Sequence, residues 1–223
     1  MASLEISHEK MRWPSRLAVF LLSTLAGVLV GGMLLLLWRT LAAAAAPAIL
    51  GEKGAWYLSR STGTVAYLLL SASTVWGLLL SSKIVKEAVP AAVALALHSA
   101  LAWLAVALSG FHAFVLLFDG YYAYRLLDLL LPFAGPYRPV WVGLGIAGFY
   151  LVLLTSASFS WRKRLGHHWW RRLHLLTFVA YILVTVHGLA AGTDSDDPGM
   201  MLLYAASGLL VLFLTNYRLL AGR

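Results

Sequence analysis

The chain contains no cysteine. Disulfides, cysteine-ligated iron–sulfur clusters, thiolate-ligated haem and covalently attached c-type haem each need a sulfur that is not there. Charge is scarce as well, at 12% of residues against about 25% in a typical soluble domain. Acids are the rarer sign, nine against 17 Lys and Arg, and none lies well inside a hydrophobic run. That weakens a proton relay, which recruits Asp or Glu within the membrane. A glycine-rich dinucleotide fingerprint of the GxGxxG type is absent, and no internal repeat, long linker or soluble domain is visible.

Apolar residues fill the space instead, at 61% of the chain with a mean hydropathy of +0.81. A bilayer core takes about 20 apolar residues per helix, and six stretches qualify: Leu17 to Trp38, Gly63 to Ser81, Val89 to Phe118, Val140 to Ser160, Leu173 to Ala191 and Met200 to Tyr217. The expected architecture is all-α and polytopic, a six-helix bundle over residues 17–217 with an N-terminal tail at 1–16 and a short end at 218–223. The first stretch resembles a signal peptide, with its basic start and the Ala42 to Ala46 run. Its core is longer than the usual 7–15 residues of such a segment, roughly speaking, so it is read as a retained helix.

The formal charge of +8 reads as membrane orientation rather than nucleic-acid binding, because Lys and Arg are retained on the cytoplasmic face. Lys10, Arg12, Arg16, Lys83, Lys86, Arg162, Lys163, Arg164, Arg171, Arg172, Arg218 and Arg223 fall on one side, 12 of the 17. Arg39, Lys53, Arg60, Arg125 and Arg138 fall on the other with six of the nine acids, including Asp194, Asp196 and Asp197. Both termini are expected in the cytoplasm. Trp13, Trp38, Trp56, Trp161, Trp169 and Trp170 lie near span ends, where an amphipathic ring prefers the headgroup level.

Four of the seven histidines fall inside spans: His98 and His112, fourteen apart on the third, and His174 and His187, thirteen apart on the fifth. At 1.5 Å per residue these separations are about 21 Å and about 19.5 Å along a helix axis. Both helices run the same way, so His98 is expected to meet His174 at the cytoplasmic level and His112 to meet His187 at the outer one. Two opposed imidazoles supply both axial positions of a six-coordinate b-type haem iron. The alternative is four core histidines making interhelical hydrogen bonds. One tension remains, since thirteen residues fall about 140° short of whole turns on a straight helix, which puts His174 and His187 on different faces.

This histidine spacing resembles the ferric reductase-like transmembrane domain family, which includes the membrane parts of ferric reductases and NADPH oxidases and the bacterial haem subunit of the periplasmic methionine sulfoxide reductase system. Similar segments are Ser59-Arg60-Ser61-Thr62-Gly63, Tyr137-Arg138-Pro139, Trp170-Arg171-Arg172-Leu173-His174 and the run from His187 to Asp194. The resemblance implies two haem b groups stacked across a bacterial-type plasma (inner) membrane, with His98 and His174 on the inner iron and His112 and His187 on the outer. It implies that Arg60 pairs with an outer haem propionate, and it leaves Lys83, Arg171 or Arg172 for the inner propionates. Gly63, Gly110 and Gly188 are expected to let a porphyrin approach the backbone, and Trp103, Phe178 or Tyr181 to stand between the levels. The larger reductases and oxidases continue after the sixth helix into an FAD and NADPH domain, which is not expected here. The expected function is therefore electron transfer from a separate cytoplasmic flavoprotein, docking near the basic loop from Arg162 to Arg172, or from membrane quinol. The acceptor would be ferric iron, oxygen or a periplasmic redox partner. An accessory haem subunit for methionine sulfoxide repair and a haem-free scaffold or transporter stay open, as does binding of a flavin or quinone.

Overall fold

The structure is a computed structural model that describes Gly32, Leu35, Leu36, Arg39, Gly51 and residues 53–85 and 88–221. The chain divides into two units, Met1–Ala48 and Ile49–Arg223. The expected first span lies outside the described residues except for Gly32, Leu35 and Leu36, which are helical.

The second unit is helical throughout its regular structure: α1 Gly54–Ser81, α2 Ala91–Val115, α3 Leu126–Leu130, α4 Pro139–Leu165, α5 His167–His174, α6 Leu176–Ala191 and α7 Pro198–Ala221. A 3₁₀ turn, Leu116–Phe118, prolongs α2. Among the described residues five helical stretches are long and apolar enough to span a membrane: α1, α2 with its 3₁₀ turn, α4, α5 with α6, and α7. These correspond to the second to sixth expected spans, and the chain is a multi-pass helical membrane protein. Proline fixes three starts, since Pro90 precedes α2 while Pro139 and Pro198 open α4 and α7, positions where a missing N–H costs nothing. Gly166, at φ 77° and ψ 152°, turns the chain from α4 into α5 in a conformation that side-chain-bearing residues rarely adopt.

The distribution of side chains is that of a protein whose solvent is lipid. Ser59, Ser71, Ser73, Thr155 and Ser158 are buried, whereas Leu202, Leu209 and Phe213 on α7 are 69%, 66% and 64% exposed. Hydrocarbon tails are as apolar as leucine, so burying leucine is no driving force there, and small or hydroxyl-bearing residues take the interhelical contacts. The Thr155 and Ser158 hydroxyls are satisfied within their own helix, Ser158 by donating to the Thr155 carbonyl at 2.7 Å, whereas those of Ser59 and Ser73 reach across to α2.

Packing centres on α1, which pairs along its length with the antiparallel α2 and reaches α6 and α7, while α4 packs against α6. Gly148 permits that second contact, because a Cβ there would meet Val184 Cγ2 at 2.7 Å. Tyr67 of α1 holds three helices together. Its hydroxyl lies 3.2 Å from that of Tyr181 and 2.8 Å from the Ser207 hydroxyl, and it accepts from Thr185 at 3.3 Å.

The fifth span differs from its sequence reading. Its helix starts at His167 rather than Leu173, and it breaks at Leu175. The Leu175 N–H is shared between the Arg171 and Arg172 carbonyls at 3.2 Å each, Phe178 N–H donates to Leu175, and the Thr177 hydroxyl takes the His174 carbonyl at 2.7 Å. A 3₁₀ turn advances about 120° per residue against about 100° in an α-helix. This tightened turn rotates His174 towards the face of His187. The early start also equalises depth, because His174 is the eighth residue of α5, as His98 is of α2.

Candidate paired-histidine site

The four intramembrane histidines meet in two pairs. Ring centres of His98 and His174 lie 6.1 Å apart, and those of His112 and His187 lie 6.2 Å apart, with interplanar angles of 75° and 74°. Two metal–imidazole bonds of about 2.0 Å, with about 1.1 Å from each ring centre to its nitrogen, place coaxial ring centres about 6.2 Å apart. The spacing at both levels fits one iron between two imidazoles. Among the described residues no group of three or more His, Cys, Asp or Glu side chains converges on a metal position, and each level brings two imidazoles together.

Three of the rings are held in the tautomer that leaves Nε2 free to accept. His112 Nδ1 lies 2.7 Å from the Ser59 carbonyl, His98 Nδ1 is 3.1 Å from the Ser73 carbonyl, and His187 Nδ1 is 3.0 Å from the Trp141 carbonyl. A carbonyl only accepts, so Nδ1 carries the proton and Nε2 keeps its lone pair. The Ser59 and Ser73 hydroxyls add contacts to the same rings, at 3.2 Å and 3.3 Å from Nδ1.

Each of these carbonyls is followed four residues later by glycine. A Cβ on Gly63 would stand 2.8 Å from His112 Nδ1, one on Gly77 3.0 Å from His98 Cε1, and one on Gly145 2.7 Å from His187 Nδ1. In a helix the carbonyl of residue i abuts residue i+4, so a side chain there would wall the carbonyl off from an approaching ring. Carbonyl and glycine form one clamp, found at Ser59/Gly63, Ser73/Gly77 and Trp141/Gly145. The first two are fourteen residues apart, as are His98 and His112. That is a short repeat in α1 which the sequence alone did not reveal, and its signal was the recurrence of Ser-x-x-x-Gly at the histidine period.

The other expected residues separate. Gly63 is part of a clamp, whereas Gly110 has only Phe149 Cζ near it, at 3.9 Å, and Gly188 makes room for the Tyr204 hydroxyl. Arg60 pairs with Asp194, and its guanidinium lies 3.9 Å from the Trp56 ring centre. Its Nε is buried without a hydrogen-bond partner among the described residues. Arg172 lies over the Trp169 ring at 5.1 Å, in a groove with Arg164, Leu165 and Leu173. Tyr181 sits buried in the tyrosine cluster, Phe178 packs against that cluster, and Trp103 is 45% exposed.

Three of the four segments that carried the sequence resemblance converge at one end of the bundle, while Trp170 to His174 lies at the level of His98. Ser59, Arg60 and Gly63 line a cavity of about 890 Å³ with His112, His187, Tyr137 and Asp194. Tyr137 and Arg138 donate to the last carbonyls of α6, at Ala191 (3.1 Å) and Ala190 (2.6 Å), which have no partner within the helix. The volume lies within the range of about 300–1,000 Å³ usual for cofactor and ligand sites. Comparison of the chain with protein-family models, with curated proteins and with solved structures finds no match.

Proposed function

We propose that this chain is a transmembrane electron-transfer protein of the ferric reductase-like type, with two bis-histidine b haems held by His98/His174 and His112/His187. The observation that carries the reading is the double pairing: two histidine pairs with iron-compatible spacing, three of the four rings fixed with Nε2 free. Histidines that merely pack need no shared tautomer and no glycine opposite the ring. Bound haem supplies one-electron transfer between stacked centres; the protein holds the rings, excludes water and sets the local charge.

Arg60, at the mouth of the cavity that contains His112 and His187, suits a haem propionate. Its guanidinium presents five donors, and among the described residues Nε has no hydrogen-bond partner beside the Asp194 pair. Arg172 faces the Trp169 groove and receives no haem role here. We assign the histidine level beside Lys83 and the basic 162–172 segment to the cytoplasmic side of a bacterial-type plasma membrane, with both termini cytoplasmic. A separate flavoprotein or membrane quinol is the donor there, and ferric iron, oxygen or a periplasmic redox protein is the outer acceptor. Service to a periplasmic methionine sulfoxide reductase is the version of this reading in which the acceptor is a protein.

The test is a reduced-minus-oxidised visible spectrum of the detergent-purified chain, with haem quantified per polypeptide. Two low-spin b haems are expected. His98→Ala or His174→Ala should remove one, and His112→Ala or His187→Ala the other. A colourless protein after expression with ample haem, or two haems retained in all four variants, overturns the assignment.

A further inference from the structure

The clamp that holds three of the histidines is missing at the fourth. On α1 the carbonyl–glycine unit recurs after fourteen residues, and each copy serves one histidine of α2. On α4 the unit Trp141/Gly145 serves His187, and fourteen residues further on stand Thr155 and Phe159. The glycine position is filled by a benzyl group, and the Thr155 carbonyl accepts the Ser158 hydroxyl at 2.7 Å. Phe159 packs against Trp170 with ring centres 6.2 Å apart, and Trp170 stacks on His174 at 5.2 Å and 22°. His174 Nδ1 is buried with no hydrogen-bond partner among the described residues. Stacking fixes the plane of this ring, but among the described residues no carbonyl holds its Nδ1.

We infer that the His98/His174 level is the weakly ligated one, because Phe159 fills the glycine place of a fourth clamp and leaves the Trp170 stack as what positions His174. This rests on the haem reading above. An outer hydrogen bond to a ligand imidazole raises its basicity, and losing one lowers metal affinity by about 10–100-fold. His98 keeps its carbonyl and His174 has none, whereas both rings of the other level are anchored. The haem between His98 and His174 is therefore released first.

Haem capture from the purified full-length protein by excess apomyoglobin tests this. Two phases of one haem each are expected, separated at least about tenfold in rate, with the fast phase absent from His98→Ala and the slow one absent from His112→Ala. Phe159→Gly, which opens the fourth clamp, should slow the fast phase alone. Trp170→Ala should accelerate it and Trp170→Phe, which keeps the stack, should leave it near wild type; this pair decides the matter if the glycine variant does not fold. A single phase, a fast phase that survives in His98→Ala, or equal rates in Trp170→Ala and wild type overturns the inference while leaving two haems in place. Protein that never carries haem overturns the proposed function as well, so the two failures are told apart by the starting haem content.

Discussion

Gly63 faces His112 so closely that a methyl group on its Cα would stand 2.8 Å from the ring nitrogen that the Ser59 carbonyl holds. Gly63→Ala must push the ring off its acceptor or the helices apart, at about 1–3 kcal/mol of overpacking. The expected result is loss of one haem per chain and a lower melting temperature in detergent. Gly208→Ala is the control, since nothing stands within 4 Å of a Cβ there, and it should change neither quantity.

Arg60 both pairs with Asp194 and lies over Trp56. The ion pair is about one-third exposed on each side, and such pairs contribute about 0–1 kcal/mol. Asp194→Asn should therefore cost little, less than Arg60→Ala, which also loses the stacking. A double-mutant cycle followed by thermal unfolding should give a coupling energy within that range, smaller in high salt. A coupling above about 2 kcal/mol would mean a desolvated pair, contrary to this exposure.

The hydroxyl of Tyr67 touches groups on α6 and α7 at once. Interhelical hydrogen bonds in membranes average about 0.6 kcal/mol, so Tyr67→Phe should destabilise the bundle by about 1 kcal/mol in steric-trap or denaturant unfolding. Haem content should stay unchanged, because the phenyl ring keeps its place against Tyr181 and Tyr204.

Tyr124, in the loop between α2 and α3, has its phenol pushed up to about 12 by burial, with the Asp119 carboxylate adding to the effect. The folded state thus holds this proton more tightly than the unfolded chain does. The resulting stability is fully present below the unfolded value near about 10 and is lost as pH rises towards the folded one. Melting temperatures should fall more steeply in wild type than in Tyr124→Phe between those limits. Equal slopes, or tyrosinate absorbance from this residue by pH 10.5, would contradict the shift.

Composition and the spacing of four histidines were enough to read helical crossings and candidate ligands, because hydrophobic length and buried ionisable groups are written one residue at a time. Two histidines on one span also state their own axial separation. What holds the rings was not legible in the same way. The Ser59, Ser73 and Trp141 carbonyls belong to the backbone, and Gly77 and Gly145 are ordinary membrane-helix glycines until the partner ring is in place. The Leu175 break was hidden for a related reason: no proline or glycine marks it, and it shows only in hydrogen bonds shared over one turn. Phe159 carries no signal unless the fourteen-residue period of α1 is known first. The edges of the second and fifth spans ran earlier than hydropathy indicated, since Arg60 and the His167–Arg172 segment are polar yet helical.

The two clamps on α1 make that helix a gauge. Ser59 and Ser73 stand about 21 Å apart along the axis, and an extra residue between them would add about 1.5 Å and turn one clamp about 100° away from the other. Residues 64–72 can then vary in identity far more readily than in number. Substitution there alters packing, whereas insertion or deletion of a single residue leaves only one of His98 and His112 engaged. Length, rather than composition, is what this stretch of the protein cannot afford to change.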